Sequence, residues 1–137
     1  MLLDCIRRYP FSLLTAALIM ALSLLPIGSV EIAKDVPFAD KWTHMVMYGT
    51  FTIIIWVEYL RRNRCLNGQH LLLYAFIAPI VMSGLMELLQ AYATTYRSGE
   101  WLDLAANSVG VCLGTAVGLC LYVYRKKNTR PTPEEQV

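Results

Sequence analysis

Apolar residues are concentrated in four segments of the chain, which cover approximately residues 11–27, 42–60, 71–93 and 103–124. The last of these has no charged residue between positions 104 and 124. Crossing about 30 Å of hydrocarbon takes ~20 predominantly apolar residues. The fourth segment is long enough for this, and the first is at the lower limit. The pattern therefore predicts an all-α protein built as a bundle of four transmembrane helices.

The first apolar segment also has the character of a secretion signal. Arg7 and Arg8 precede it, as the basic region of a signal peptide precedes its apolar region. The apolar stretch is long for a signal peptide, and no small-x-small cleavage site follows Pro26. We therefore favour a retained helix, with a cleaved signal peptide as the alternative.

Composition agrees with a membrane protein of one domain. Of the 137 residues, 56% are hydrophobic and 16% are charged, whereas a soluble domain of this length carries more charge. We expect residues 1–124 to form the membrane domain and residues 125–137 to form a polar, disordered cytoplasmic tail.

Basic residues predict the orientation, because Lys and Arg near helix ends favour the cytoplasmic side. Only Lys34, Lys41 and Arg97 of the 12 Lys and Arg residues fall on one side of a four-span bundle. Both termini are therefore predicted to be cytoplasmic. The net charge of +2 follows from this asymmetry, and no basic face suited to nucleic acid is present. The other basic residues are Arg7, Arg8, Arg61, Arg62, Arg64, Arg125, Lys126, Lys127 and Arg130.

Polar residues interrupt the last three segments at one depth, near the predicted outer surface. Spacings of three and four residues place those of each helix on one face. Because ionisable residues in a bilayer are costly, such residues usually face a shared interior or a wet cavity. One outward-facing polar pocket is therefore predicted. Its residues are Asp40, Lys41, His44 and Tyr48 in the second helix, Ser83, Glu87 and Gln90 in the third, Arg97 in the next loop, and Asp103 and Asn107 in the fourth.

Glu87 and His44 are the candidate catalytic residues, as general acid or base. A carboxyl group as deep as Glu87 needs a partner or stays protonated, and Lys41 or Arg97 is the predicted partner. A purely structural ion pair is the alternative role for Glu87, and packing is the alternative for His44.

The remaining polar residues are candidate ligand-binding groups, each with a structural alternative. Lys41 and Arg97 are suited to an anionic group, although Arg97 is equally suited to neutralising Asp103. Asp40 is also placed to cap the second helix. Hydrogen-bonding support is the expected role of Gln90, Asn107 and Tyr48.

Metal and cofactor sites are not predicted. His44 and the nearby acids offer nitrogen and oxygen ligands, but no HExxH motif or paired-histidine spacing is present. Lys41 and Arg97 would also compete for the acids. The four cysteines contain no CxxC pair, which leaves redox pairing unsupported.

Two further features have packing interpretations. Gly110, Gly114 and Gly118 form a small-xxx-small ridge of the kind that lets two helices approach closely. Glu58 near the cytoplasmic end of the second helix is expected to pair with Arg61 or Arg62.

The polar pattern resembles the VanZ-like family of small bacterial membrane proteins. The resemblance covers roughly residues 39–118 and rests on order and spacing. It implies a cell-envelope role, since the namesake is associated with reduced susceptibility to the lipoglycopeptide teicoplanin, and it implies no established reaction. The motifs are Asp40-Lys41-x-x-His44-x-x-x-Tyr48, Glu87-x-x-Gln90, Arg97, Asp103-x-x-x-Asn107-x-x-Gly110 and Gly114.

Together with this resemblance, the polar residues predict a pocket that engages an anionic lipid or lipid-linked envelope precursor. Reduced susceptibility to teicoplanin-type antibiotics is what the resemblance implies. Lys41 and Arg97 would contact the anionic group. The alternatives are an intramembrane enzyme acting on a lipid-linked envelope substrate and an assembly partner with a structural polar core. If alanine substitution of Glu87 or His44 abolishes function without reducing the protein level, the structural alternative is excluded.

Overall fold

The described residues of the computed structural model are 7–24, 38–63, 67–93 and 100–128, and they form helices without any strand. Helix α1 is Pro10–Leu24 and helix α2 is Ala39–Arg62. Helix α3 consists of Gly68–Leu72, a π-helical stretch Leu73–Ile77, and Ala78–Ala93. Helix α4 is Trp101–Asn128. The prediction of an all-α protein is confirmed for these residues.

The start of α2 differs from the predicted one in a way that affects the site. Helix α2 begins at Ala39, so Asp40 lies in its first turn, where a negative charge is favourable. The residue before the helix is Phe38, which has a left-handed backbone (φ 61°) and makes no side-chain cap hydrogen bond. Asp40 therefore does not occupy the cap position that was one of its predicted roles.

Helix α4 continues past the predicted boundary at residue 124. Arg125, Lys126 and Lys127 form its last turn, although a disordered tail was predicted to begin there. Lys and Arg are good helix formers, and their positive charge is favourable at a helix carboxyl end. Residues 129–137 lie outside the described residues.

The π-helical stretch of α3 precedes a proline inside the helix. Pro79 has no N–H to donate, and its ring crowds the preceding turn. A single π-type turn is a known way to relieve such a local mismatch. Leu73–Ile77 supplies this turn, and Pro79 itself is fully buried. Helix α3 thus passes through its proline without ending.

Contacts between the helices show alternating directions. The starts of α2 and α4 lie together, and these two helices pack against each other more extensively than any other pair. Helix α3 runs opposite to α4, because Glu87 contacts Glu100 while Ser83, one turn earlier, contacts Asn107. Helix α1 runs opposite to α2, since its first turn contacts Glu58 near the end of α2.

Glycines allow α2 and α4 to approach closely. A methyl group on Gly110 would strike the carbonyl oxygen of Met45, and one on Gly114 would lie 2.6 Å from the carbonyl oxygen of Gly49. Gly118 faces the ring of Trp56. The contacts confirm the close-packing role predicted for the small-xxx-small ridge.

Glu58 is buried and does not pair with the neighbouring arginines as predicted. Its carboxylate accepts hydrogen bonds from the backbone N–H groups of Phe11 (3.1 Å) and Ser12 (2.8 Å) and from the Ser12 hydroxyl (2.6 Å). These N–H groups belong to the first turn of α1, which has unsatisfied donors and a partial positive charge. The amino end of α1 is therefore a better partner for Glu58 than an arginine exposed to solvent.

Many large apolar side chains are exposed and several polar ones are buried, which is the opposite of the distribution expected in a water-soluble bundle. Large apolar residues such as Leu14, Leu85 and Val123 are exposed, whereas Glu58, Glu87 and Asn107 are buried. Among the described helices, Gly68–Tyr92 and Trp101–Asn128 are long and apolar enough to cross a membrane. Helix α1 is apolar but shorter.

Candidate functional site

The start of α2 is joined to the start of α4 by Lys41. Its ammonium group donates to Glu100 Oε2 (2.5 Å) and to Asp103 Oδ1. Asp40 Oδ2 lies 3.8 Å from the same nitrogen. Asp103 is buried, whereas half of the Glu100 side chain is exposed (51%). Lys41 is thus held by one buried and one accessible carboxylate.

His44 lies one turn deeper on the same face of α2 and is 5% exposed. Its Nε2 is 3.7 Å from Asp40 Oδ1 and 3.7 Å from Asp103 Oδ2, just beyond hydrogen-bond distance. In the described part of the chain, no partner for Nδ1 is present. The imidazole therefore faces two carboxylates without a short hydrogen bond to either.

Glu87 of α3 reaches the same end of the bundle by contacting the amino end of α4. Its Oε2 accepts a hydrogen bond from the backbone N–H of Glu100 (3.1 Å). The Glu100 carbonyl in turn accepts from the N–H groups of Asp103 (3.0 Å) and Leu104 (3.3 Å), which begin the helix. The partial positive charge at the start of α4 thus stabilises the Glu87 carboxylate.

Glu87 therefore does not form the predicted ion pair with Lys41. The ion pairs of Lys41 are with Glu100, Asp103 and Asp40. Arg97, the other predicted partner of Glu87, lies outside the described residues.

Asn107 joins α4 to α3 about one turn deeper than Asp103. Its amide donates to the Ser83 hydroxyl (2.7 Å), and the Tyr48 side chain of α2 lies beside that serine. Asn107 and Tyr48 are each 1% exposed. The Asn107 Oδ1 and the Tyr48 hydroxyl have no hydrogen-bond partner among the described residues.

Gln90 of α3 makes a contact with α1. Its side chain donates to the backbone carbonyl of Ser23, at the end of α1 (3.0 Å). Gln90 is buried, and this contact ties α3 to α1. This contact gives the supporting role predicted for Gln90 a partner on the first helix, which the spacing of Gln90 with Glu87 did not indicate.

Glu100 is the important residue that the sequence pattern did not single out. It precedes α4 and breaks no apolar run, so only its position three residues before Asp103 could have indicated it. Hydrogen bonding to the Lys41 ammonium, with the attraction between their charges, holds the pKa of Glu100 below its ordinary value. Glu100 is therefore an ionised and accessible partner of Lys41.

A cation could be held by only one cluster among the described residues. Asp40, His44 and Asp103 each offer one ligand atom, and the three atoms lie within 4.8 Å of one another. Nitrogen and carboxylate oxygen suit several divalent metals. The Lys41 ammonium already neutralises Asp103, so a metal ion would have to compete with it.

A groove of about 210 Å³ lies beside the cluster, between α3 and α4. Glu87 and Glu100 line it, and so do Tyr92 and Trp101, which are 87% and 85% exposed. Tyrosine and tryptophan are typical of the boundary between a membrane and water. The groove gives an external ligand a route to the Glu100 side of the cluster.

Comparisons with known proteins return no match to the chain among family models, curated proteins or solved structures.

Proposed function

We propose that the protein spans a bacterial cytoplasmic membrane four times, with both termini in the cytoplasm, and that its outer polar cluster binds the anionic headgroup of a lipid-linked cell-envelope component. Because the polar pattern resembles that of the VanZ-like family, we extend the proposal to a reduced susceptibility of the cell to teicoplanin-type compounds. The observation that carries it is the pairing of Lys41 with an exposed carboxylate.

The membrane arrangement is supported by the alternating helix directions and by the exposure of large apolar side chains on the helices. Two described helices are long and apolar enough to cross. The charged ends of α2 agree with a third crossing, since Asp40 and Lys41 stand at one end and Arg61 and Arg62 at the other. Exposed lipid-facing side chains and internal polar ones are what a bilayer requires.

Headgroup binding follows from the unequal burial of the two acids on Lys41. Asp103 is buried and would remain in place, whereas Glu100 is exposed and can turn away. A phosphate arriving through the groove would replace the Glu100 carboxylate on the ammonium group. Phosphate and carboxylate are exchangeable partners for such a donor. Arg97, by sequence close to this site, would add a second basic group.

The binding test uses substitutions with opposite effects. We expect Glu100→Gln to raise affinity for a long-chain polyprenyl phosphate, because the competing carboxylate is removed. Lys41→Met should lower affinity by about 10–100-fold, as expected for losing a hydrogen bond to a charged group. Affinity would be measured in detergent by native mass spectrometry, with the uncharged polyprenol as the reference ligand.

Lys127→Gln is the matched control, because Lys127 is an exposed cation at the other end of α4. Its affinity should equal that of the wild type. Equal binding of the phosphate by Lys41→Met and the wild type, or equal binding of phosphate and alcohol by the wild type, would refute the proposal.

Intramembrane catalysis is the second candidate function, and the position of His44 favours it. A histidine beside two carboxylates can be oriented by them as a general base. In this case His44→Gln would abolish turnover of a lipid-linked substrate while leaving its binding within about twofold of the wild type. This role would be excluded if the wild type showed no turnover of such a substrate, or if His44→Gln turned it over at the wild-type rate.

A further inference from the structure

A second and larger groove lies between α1 and α2, at the end of the bundle opposite to Lys41. Its volume is about 550 Å³ and it is open along one side. Most of its lining is apolar and comes from residues spaced by three or four on each helix. Phe11 and Leu14 of α1 and Ile54 and Val57 of α2 form its walls. Arg61 and Arg62 stand at its end.

The dimensions of this groove match one leaflet of a bilayer. The α2 residues that line it fall within positions 53–62. A helical segment of this length rises about 14 Å at ~1.5 Å per residue. Half of a hydrocarbon core ~30 Å thick is about 15 Å. A single acyl chain lying along α2 would therefore reach from the arginines to the middle of the membrane.

The charge at the end of the groove is positive and accessible. Arg61 and Arg62 are exposed, and no carboxylate among the described residues lies within ion-pair distance of either. Glu58 also lines the groove, but both of its oxygens accept hydrogen bonds from the first turn of α1. The glutamate is thus engaged by α1, and both guanidinium groups are left for another anion.

We infer that this groove binds an anionic phospholipid, with one acyl chain between α1 and α2 and the headgroup phosphate on Arg61 and Arg62. Guanidinium groups hold phosphate through paired hydrogen bonds. Basic pockets between transmembrane helices are known to hold anionic headgroups. The inference rests on the membrane-spanning part of the proposed function, and it is independent of any ligand at Lys41.

The test measures lipid retention by the full chain. Delipidated protein in neutral detergent is mixed with equal amounts of dioleoyl phosphatidylglycerol and dioleoyl phosphatidylcholine, and native mass spectrometry counts the bound molecules. We expect the anionic lipid to dominate. Replacing both arginines (Arg61→Gln with Arg62→Gln) should reduce its retention by about 25-fold, or about fivefold for each basic residue, and leave the neutral lipid unchanged.

Two other variants separate the groove from general surface charge. Lys126→Gln with Lys127→Gln removes the same charge from the neighbouring end of α4, away from the groove, and should retain the wild-type preference. Val57→Trp fills the groove without changing charge and should reduce retention of both lipids. Added inorganic phosphate should not displace the bound lipid, because it lacks the acyl chain.

Several outcomes would overturn the inference. These are equal retention of the two lipids by the wild type, an equal loss in the lysine and arginine double variants, or displacement by inorganic phosphate. Failure of the proposed function is distinguishable, since Lys41→Met would then bind polyprenyl phosphate normally while the arginine variant still lost phosphatidylglycerol.

Discussion

Two buried glutamates, Glu58 and Glu87, are each bonded to the amino end of a neighbouring helix. Glu58 accepts from Phe11 and Ser12 of α1, and Glu87 accepts from Glu100 at the start of α4. A helix amino end offers both unsatisfied N–H groups and partial positive charge. In each case backbone N–H groups are among the partners, and a search for ion pairs along the sequence does not reveal them.

At the scale of single residues, Glu58 is expected to be important for stability. Glu58→Ala removes all three hydrogen bonds to α1 and should lower the free energy of unfolding by about 1.5–3 kcal/mol, because buried donors lose a charged acceptor. Glu58→Gln keeps one acceptor oxygen and should cost less. Thermal unfolding in detergent measures the effects of both substitutions. Ser12→Ala removes only the hydroxyl hydrogen bond to Glu58 and shows how much that single bond contributes. A melting temperature unchanged in Glu58→Ala would contradict this assignment.

The lowered pKa of Glu100 predicts how the stability of the protein depends on pH. This pKa is lowered in the folded protein by hydrogen bonding to Lys41. The stabilisation is therefore present above the unfolded-state pKa and is lost as the pH falls through the lower folded-state pKa. The difference in melting temperature between wild type and Glu100→Gln should shrink between neutral pH and about pH 3, the acid side of an ordinary carboxyl pKa. A difference that stays constant over this range would show that the Lys41–Glu100 pair does not contribute.

At the scale of helices, the glycine contacts between α2 and α4 determine the geometry of the site. Gly110 packs against the backbone of α2 at Met45, between the layer of Lys41 and the layer of Gly49. Backbone contacts cannot be relieved by a change of rotamer. The close approach at Gly110 therefore holds Lys41, about one turn from Met45, and Asp103, about two turns from Gly110, at bonding distance from each other.

Alanine substitution distinguishes this contact from the general effect of replacing glycine in a helix. Gly110→Ala should destabilise the protein by about 1–3 kcal/mol or more, because the added methyl group would overlap the Met45 carbonyl. Gly84→Ala is the matched control. Nothing lies within 4 Å of its added methyl group, so a neutral or stabilising effect of up to ~1 kcal/mol is expected. Chemical denaturation of both variants in one detergent measures the contrast, and equal effects would remove the argument for close packing.

At the scale of the whole molecule, the two ends of the bundle have different chemistry. The end where α2 and α4 start carries the acids with Lys41 and His44. The end where they finish carries Arg61, Arg62 and the basic last turn of α4. A membrane protein with this distribution would place its basic end in the cytoplasm.

Cysteine labelling tests this orientation. In a variant with all four native cysteines replaced, a cysteine introduced at Ser98 should react in intact cells with a membrane-impermeant reagent. A cysteine at Asn67 should react only after the cells are opened. Asn67 precedes α3 and is exposed, so burial would not explain its protection. The opposite labelling pattern would place the Lys41 cluster on the cytoplasmic side.

The sequence by itself determined the helical class, the approximate helices and the polar residues that face inward. Each of these follows from local periodicity, because residues three or four apart on a helix share a face. The stripe containing Lys41, His44 and Tyr48 and the stripe containing Asp103 and Asn107 were predictable for this reason. The glycine ridge was predictable in the same way.

Only the tertiary structure decided which of these residues are partners. Lys41 pairs with Asp103 and Glu100, while Glu87 and Glu58 bond to helix amino ends. Periodicity assigns a residue to a face, but partnership also depends on the rotation and relative height of two helices. Close backbone contacts, such as that between Gly110 and Met45, determine both quantities. Such contacts join residues far apart in the chain, and local sequence carries no measure of them.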